Sequence, residues 1–259
     1  LVGKAIVKGD FEKAALLFLA DPSVYEHPAS RQARRELQAT QNFKQALQGF
    51  PRQLRYERLM LGHLVENPCD FVGAFKRLPV KLQALFVQAY QSFLFNRFLS
   101  ERVRNGFALN RAEVGDYAVN VERSGLPMGK TGKIVDTTTL AETNEAILKG
   151  RMRVALPLVG VRQRLSQGVI GQIETRILEA EDVKAEDFNV NPLLEVSGRG
   201  ELRAIVSPIK NFRVQCISRG ADDVKSHQAF LDFMLVRGSY ATVLLREVMK
   251  PKNPIAAGF

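Results

Sequence analysis

The sequence predicts a mixed α/β protein of the α+β kind, in which a largely helical and mixed region precedes a region of strands. Apolar residues recur at helical spacing through the first 105 or so positions, and strand-like alternation begins after Gly106. Residues 191–259 then carry three strand candidates. With 259 residues, of which 46% are apolar and 25% are charged, the chain can bury a sizeable core.

Five helices are predicted before Gly106 from their boundary residues. Asp10 is a candidate N-cap, and the Asp21-Pro22 pair ends the helix that follows it. The other predicted helices cover about 28–48, 52–66, 70–77 and 79–105. The last is long and apolar on most faces, which predicts a helix buried between layers. Its predicted buried stripe consists of Leu82, Leu85, Phe86, Ala89 and Phe93, widened by Leu94, Phe95, Phe98 and Leu99.

The region after Gly106 mixes short strands with helices. Thr139 and Glu142 have the spacing of a capping box, and Ser166 is a candidate N-cap for a second helix. Pro157 lies within an apolar run and predicts an edge strand or extended segment there. The acidic stretch 179–187 is predicted to be a solvated surface. Strands are predicted over 116–121, 134–135, 154–159, 201–206, 212–217 and 230–236, and helices over 139–149, 166–180 and 240–249.

Composition excludes several classes of protein. The two cysteines, Cys69 and Cys216, lie far apart, which argues against a disulfide framework and favours a reducing cytoplasm. The three histidines lack metal-ligand spacing, so no metal site is expected. Apolar runs are too short to span a bilayer, so no membrane-spanning segment is expected.

A formal net charge of +10 favours a polyanionic partner, either nucleic acid or an anionic membrane surface, without choosing between them. Basic residues concentrate in two stretches, 149–176 and 199–219, each of which contains a single acidic residue. Arginines along strands and at loop ends suit contacts with phosphates, and the alternative is a solvated, solubilising face. The candidate RNA-binding residues are Arg151, Arg153, Arg162, Arg164, Arg199 and Arg213.

Motifs that carry catalytic chemistry are scarce. Gly129-Lys-Thr131 has the end of a phosphate-binding P-loop but lacks the glycine that the motif needs five positions earlier, so it is interpreted as a turn. Asp222 and Asp223 fall in a polar stretch, and His227 stands alone. The residues by themselves therefore indicate a basic, two-domain α/β protein without assigning an activity.

Several segments, taken in order, resemble the TruD family of tRNA pseudouridine synthases. The segment from Gln88 to Arg102, with the sequence QAYQSFLFNRFLSER, resembles the family's central helix. The segment from Gly238 to Glu247, with the sequence GSYATVLLRE, is similar to its final strand-to-helix motif. Further agreement lies in Leu1-Val-Gly3, Lys8–Ala14, Val114-Gly-Asp116 and Ser197–Ile205.

The resemblance implies isomerisation of a uridine in the D-arm of tRNA, at the thirteenth nucleotide, without a metal or small-molecule cofactor. The family's nucleophilic aspartate lies in a Gly-x-Lys-Asp motif, and its uracil-stacking phenylalanine in an Asn-Tyr-Phe-Gly motif. Neither motif occurs in this sequence. We therefore expect a C-terminal portion of a longer enzyme that has no catalytic residue of its own and does not isomerise uridine alone. The alternative is a non-catalytic RNA-binding module.

The resemblance also implies a division into domains and a set of site residues. Residues 1–9 would end one segment of the catalytic core, 10–190 would form an insertion domain, and 191–259 would return to the core, with tRNA in the cleft between them. Ser239 is a candidate cap of the last helix. For Tyr240 and Arg246 the alternatives are core packing and an ordinary ion pair. The predicted wall of the uridine pocket consists of Arg203, Ser239, Tyr240 and Arg246.

Overall fold

The computed structural model describes residues 1–219 and 227–258, so Asp222, Asp223 and the side chain of His227 lie outside the described part. The helices are α1 (Val2–Val7), α2 (Phe11–Ala20), α3 (Pro28–Thr40), α4 (Phe43–Gly49), α5 (Arg55–Glu66), α6 (Phe71–Lys76), α7 (Val80–Arg104), α8 (Leu140–Leu148), α9 (Gly168–Ala180) and α10 (Ala241–Met249). The strands are β1 (Tyr117–Asn120), β2 (Lys133–Ile134), β3 (Met152–Leu158), β4 (Glu201–Ala204), β5 (Ile209–Arg219) and β6 (His227–Leu235).

The strands form one antiparallel sheet of four strands, in the order β2-β1-β3-β4, and one separate hairpin, β5-β6. This mixture of helices and antiparallel sheets confirms the predicted fold class. The sheet packs against α7 and α8, and the largest core cluster joins residues from α1 to Val196. No helix in the described part is long and apolar enough to cross a membrane.

The long helix α7 matches its predicted bounds, but its predicted buried stripe is confirmed only in part. Leu94, Phe95 and Phe98 are buried as predicted, whereas Leu85 and Phe93 are 55% and 43% exposed. The true inner face also contains polar side chains, among them Gln91. The helix packs on α1, α9 and β3 and leaves its other side open, so apolar residues occur on both sides of it.

The helix predicted over 28–48 is in fact two helices. Gln41 adopts a left-handed backbone conformation with φ of 50°, which ends α3. The Asn42 side chain then accepts a hydrogen bond from Gln45 N at 3.0 Å and begins α4. Asparagine competes with the helical backbone in this way, so a break here is favoured over continuation.

The interpretation of Pro157 as an edge-strand marker was wrong, because β3 lies between β1 and β4. Pairing with β1 stops at Ala155, which faces Tyr117, and Pro157 pairs only with Leu202 of β4. At Pro157 the strand therefore has a neighbour on one side alone, and a missing N–H is tolerated there.

Two predicted helix caps are replaced by other contacts. Thr139 makes no side-chain cap bond to α8; instead the Asp136 carboxylate accepts hydrogen bonds from Thr138 and Thr139, which lower its pKa to about 2. Ser166 does not cap α9, since both its N and its Oγ donate to Glu174, at 2.7 and 2.8 Å. The structure thus keeps the predicted helices and changes the groups that begin them.

The acidic stretch 179–187 is only partly solvated. Glu181 is largely buried, and its carboxylate bridges Lys4 at 2.9 Å and Arg97 at 3.2 Å. It ties α9 to α1 and α7, so the expectation of a fully solvated surface was wrong for this residue.

A buried charge network joins α7, the segment before β1 and α9. The Arg102 guanidinium donates to both oxygens of Asp116, at 2.6 and 2.9 Å, and to the carbonyls of Ala108 and Arg111. Glu174 is 1% exposed, and burial raises the pKa of its carboxyl to about 7. The hydrogen bonds from Ser166 lower this pKa, but burial has the larger effect. A neutral Glu174 is therefore favoured below that pH.

Among the residues whose side chains are described, the hairpin and α10 carry exposed apolar side chains and no buried ones. Phe230 is 59% exposed and Met249 is 63% exposed. No residue between 205 and 258 whose exposure is described is buried. Among the described residues, the bonds that link this unit to the rest of the chain include Lys210 Nζ to Ser124 O at 3.4 Å and Asn253 Nδ2 to Tyr25 Oη at 3.0 Å.

The network predicts a pH dependence of stability centred on Glu174. Its folded pKa of about 7 exceeds the ordinary value of 4.5, so the folded state holds its proton more tightly. Stability from this group therefore falls as pH rises from 4.5 to about 7, by up to ~3 kcal/mol. We expect Glu174→Gln to remove that fall, measured by urea unfolding between pH 4.5 and 8.

The matched control is Glu179→Gln, an exposed position on the same helix, which should keep the wild-type pH profile. Equal pH profiles for wild type and Glu174→Gln would contradict the assignment.

Candidate nucleic-acid interface

A cleft of about 650 Å³ lies between the first half of α7 and the segment that leads into β4. Arg199 and Arg203 line one wall, Gln88 and Ser92 of α7 line the other, and Tyr240 stands at its edge. Tyr240 is 72% exposed, which excludes a place in the core of the described structure. The cleft thus brings together three residues that the sequence singled out.

The floor of the cleft depends on glycines where two backbone segments meet. Val161 N donates to Gly198 O at 3.0 Å, and Arg162 N donates to Arg199 O at 2.9 Å. A Cβ at Gly160 would lie 2.3 Å from Gly200 N and 2.4 Å from Gly198 O, closer than real Cβ contacts. Only glycine fits this approach, so the SGRG sequence is explained by packing.

Gln91 holds α7 to the same floor. Its Nε2 donates to Val159 O at 2.6 Å in a buried setting. A buried amide fixes the rotation of the helix because any other orientation would leave a polar group unpaired. This rotation turns Gln88 and Ser92 toward the cleft.

Arg203 is held at the cleft wall by an aromatic ring and a hydroxyl. Its guanidinium carbon lies 5.3 Å from the centre of the Phe95 ring, and NH1 donates to Ser92 Oγ at 3.5 Å. In the backbone pairing of β3 with β4, Arg203 lies opposite Leu156. The remaining N–H groups of this exposed guanidinium are available to a ligand in the cleft.

Two other predicted wall residues do not line the cleft. Ser239 bonds to Ser207 and makes no cap bond to α10, whose N-cap is Tyr240. The Arg246 guanidinium lies 3.8 Å from the Glu247 carboxylate, which is the ordinary ion pair weighed as its alternative. Their roles in a uridine pocket remain predictions.

The candidate RNA-binding arginines form two groups and not one patch. Arg151 and Arg153 flank the start of β3, whereas Arg162 and Arg164 follow its end, and seven strand residues separate them by roughly 23 Å. Arg199 lies beside Arg162, and Arg213 lies on β5. Within the described residues, none of these six arginines is in an ion pair.

Sequence reasoning missed the α7 side of the cleft. Gln88 and Ser92 lie in the family-like segment 88–102, but the sequence predicts no site role for them. The available signal was two polar residues four positions apart in an apolar helix, which places them on one face. Leu85, Ala89 and Ala84 complete this wall.

The cleft is suited to binding more than to covalent chemistry. Its charged side chains are Arg199, Arg203, Glu195 and Glu201, and no aspartate, histidine or cysteine of the described chain lines it. Arginine, amide, hydroxyl and phenol groups are those that contact phosphates, sugars and bases. The Gly129–Thr131 turn is a short 3-10 segment in which Thr131 Oγ1 bonds to Met128 O, consistent with its interpretation as a turn.

The close approach at Gly160 predicts a strong effect of one methyl group. We expect Gly160→Ala to lower the free energy of unfolding by ~2 kcal/mol or more, because backbone atoms of the SGRG segment must move. Gly62→Ala is the matched control: it lies in α5 with open space around it and should be neutral or stabilising. Equal denaturation midpoints for the two variants would contradict the close backbone approach at Gly160.

Comparison with known proteins gives the same family as the sequence motifs. The family model described as tRNA pseudouridine synthase D (TruD) matches residues 1–248. A Methanosarcina acetivorans protein described as a probable tRNA pseudouridine synthase D is 40% identical over 253 residues, covering 96% of this chain and 56% of that protein. A Methanopyrus kandleri protein with the same description is 37% identical over 250 residues, covering 96% of this chain and 53% of that protein.

The fold agrees as well. A crystal structure of a Methanosarcina mazei protein that carries the TruD name superposes with a TM-score of 0.90 at 38% identity, covering 98% of this chain and 57% of that one. The chain therefore spans a little over half the length of the relatives it matches. On the family match, the sequence identity and the shared fold, this chain belongs to the TruD family of tRNA pseudouridine synthases.

Proposed function

We propose that this chain supplies the tRNA-binding cleft of an enzyme that isomerises uridine to pseudouridine in the D-arm of tRNA, at the thirteenth nucleotide. The observation that carries the proposal is the meeting of Arg199, Arg203 and Tyr240 at one cleft, within a chain of this family. The uridine position rests on the family resemblance alone.

The cleft's chemistry fits the energetic demand of such a reaction. A base inside a folded RNA must be unstacked before an enzyme can reach it, which costs a few kcal/mol. Phosphate contacts from unpaired arginines offset that cost, and a tyrosine at the cleft edge offers a surface on which a base can stack. Arg203 is already oriented by Phe95 and Ser92, so little side-chain entropy is lost when it binds.

The nucleophile is proposed to come from the family's Gly-x-Lys-Asp motif, which this sequence does not contain. In that scheme the aspartate attacks and the glycosidic bond from nitrogen breaks. The base then bonds to the ribose through carbon 5, that carbon loses its proton, and the aspartate is released. The chain's own part is to bind and orient the RNA. The absence of metal and cofactor, the cytoplasmic location and the division at residues 9 and 190 remain predictions.

The exposed apolar face of the hairpin and α10 supports the proposal that residues 191–259 belong to a larger catalytic core. Side chains such as Phe230 and Met249 need a covering layer, and relatives are nearly twice the length of this chain. One observation favours the second candidate, an RNA-binding module: no aspartate of the described chain lines the cleft.

The first test is activity of the chain by itself. We expect it to bind a tRNA transcript and to release no tritium from tRNA labelled at uridine carbon 5, because the family's nucleophile motif is missing. Tritium release that is abolished by replacing one of the chain's own aspartates would contradict the proposal.

The second test addresses the cleft in an enzyme completed with both family motifs. We expect Tyr240→Ala to lower turnover at least tenfold while the melting temperature stays within a few degrees, because the phenol packs against no core. The control is Tyr56→Ala, an exposed tyrosine on α5 (45% exposed). Equal turnover in the two variants would remove Tyr240 from the site.

A further inference from the structure

A second cationic site lies away from the cleft, where the four-stranded sheet meets the hairpin. Three segments converge there: the start of β3, the turn 121–132 and the link 205–210. Val121 N donates to Arg151 O at 2.9 Å, which joins the turn to β3. Ile205 N donates to Val154 O at 3.1 Å, which joins the link to β3.

Two cations cross between these segments. Arg153 NH1 reaches from β3 to Val206 O at 3.4 Å, and Lys210 Nζ reaches from β5 to Ser124 O at 3.4 Å. Both are long bonds to carbonyl oxygens, which cannot neutralise a charge. Arg151 and Arg123 lie on the same segments, so we name these four residues the junction patch: Arg123, Arg151, Arg153 and Lys210.

The junction patch is short of negative charge. None of its four side chains lies within ion-pair distance of a carboxylate among the described residues. The nearby Glu122 accepts a bond from Ser124 Oγ. Three other cations that are at least partly buried, Lys4, Arg34 and Arg102, are each paired with a carboxylate.

Arg153 makes the shortage costly. It is half-buried in the sheet beside Val119. Burial lowers the pKa of its guanidinium, and no carboxylate of the described residues lies close enough to raise it again. A guanidinium has five N–H donors, and a partly desolvated one is stabilised by an anion that accepts several of them. A phosphate meets that requirement. A phosphate would also supply the negatively charged partner that Lys210 lacks.

We propose that the junction patch is a second RNA-contact site, in which Arg153 and Lys210 each contact a backbone phosphate of the bound tRNA. This rests on the proposed function for the identity of the partner as RNA. Because Arg153 belongs to the sheet and Lys210 to the hairpin, an RNA strand contacted by both would fix the hairpin relative to the sheet. Arg153 and Lys210 would act as positioning residues, since the patch lies apart from the residues that line the cleft.

The test is the salt dependence of tRNA binding by the 259-residue chain and its variants, with an unmodified tRNA transcript between 50 and 200 mM KCl. Each lost phosphate contact lowers the slope of log affinity against log salt by about one. We expect Arg153→Gln with Lys210→Gln to lower the slope by about two. Arg153→Lys, which keeps the charge, should keep most of it.

The control removes an arginine and a lysine elsewhere. Arg104→Gln with Lys250→Gln takes away the same two charges, from side chains that are each 72% exposed and already paired with a glutamate. Its slope should equal that of the wild type. Lys210→Gln alone, at an exposed position, should lower the slope of log affinity against log salt by about one. This variant keeps the test valid if Arg153→Gln folds poorly.

The outcomes separate the two proposals. If the wild-type chain does not bind tRNA, the proposed function fails. If the wild type binds and the junction variant has the same slope as the control variant, the junction patch is a solvated surface and this inference is overturned.

Discussion

The structure depends on the fixed rotation of α7, the helix that both the helical half and the sheet share. Apolar packing alone would not set it, because apolar residues lie on both sides of this helix. Two buried polar contacts do: Gln91 donates to Val159 O at 2.6 Å, and Arg102 holds both oxygens of Asp116. Rotation away from either would leave a buried polar or charged group unpaired, which is costly. The open side of the helix, with Gln88 and Ser92, consequently faces the cleft.

Charge is distributed differently in the two halves. In the helical half, Arg34 sits between Glu26 and Glu57, and Lys4 is paired with Glu181, so these cations support the fold. Within the described residues of the sheet half, Arg203 and its neighbours lack carboxylate partners while remaining accessible. Accessible arginines without a carboxylate partner therefore add positive potential at the cleft wall, which favours a polyanionic ligand there.

The boundaries of several helices could be predicted because they depend on residues next to them in sequence. The Asp10 side chain accepts a hydrogen bond from Lys13 N and begins α2, and α7 begins and ends where its flanking residues predict. What failed depends on distant partners. The inner face of α7 is chosen by α1, α9 and β3, and the sheet order that makes β3 interior cannot be inferred from Pro157. The four arginines of 151–164 looked contiguous in sequence, but a seven-residue strand places them at opposite ends. Arg203 and Tyr240 were found through family motifs, whereas Gln88 required the structure.

The central claim is that one side of the molecule, beside the open face of α7, receives RNA. Hydrogen–deuterium exchange of the chain with and without a saturating tRNA transcript tests it most directly. The account predicts slower exchange in segments 121–133, 158–164, 197–206 and 236–241, with no change in α2 to α5. Protection confined to α2–α5, or spread evenly over the chain, would contradict it.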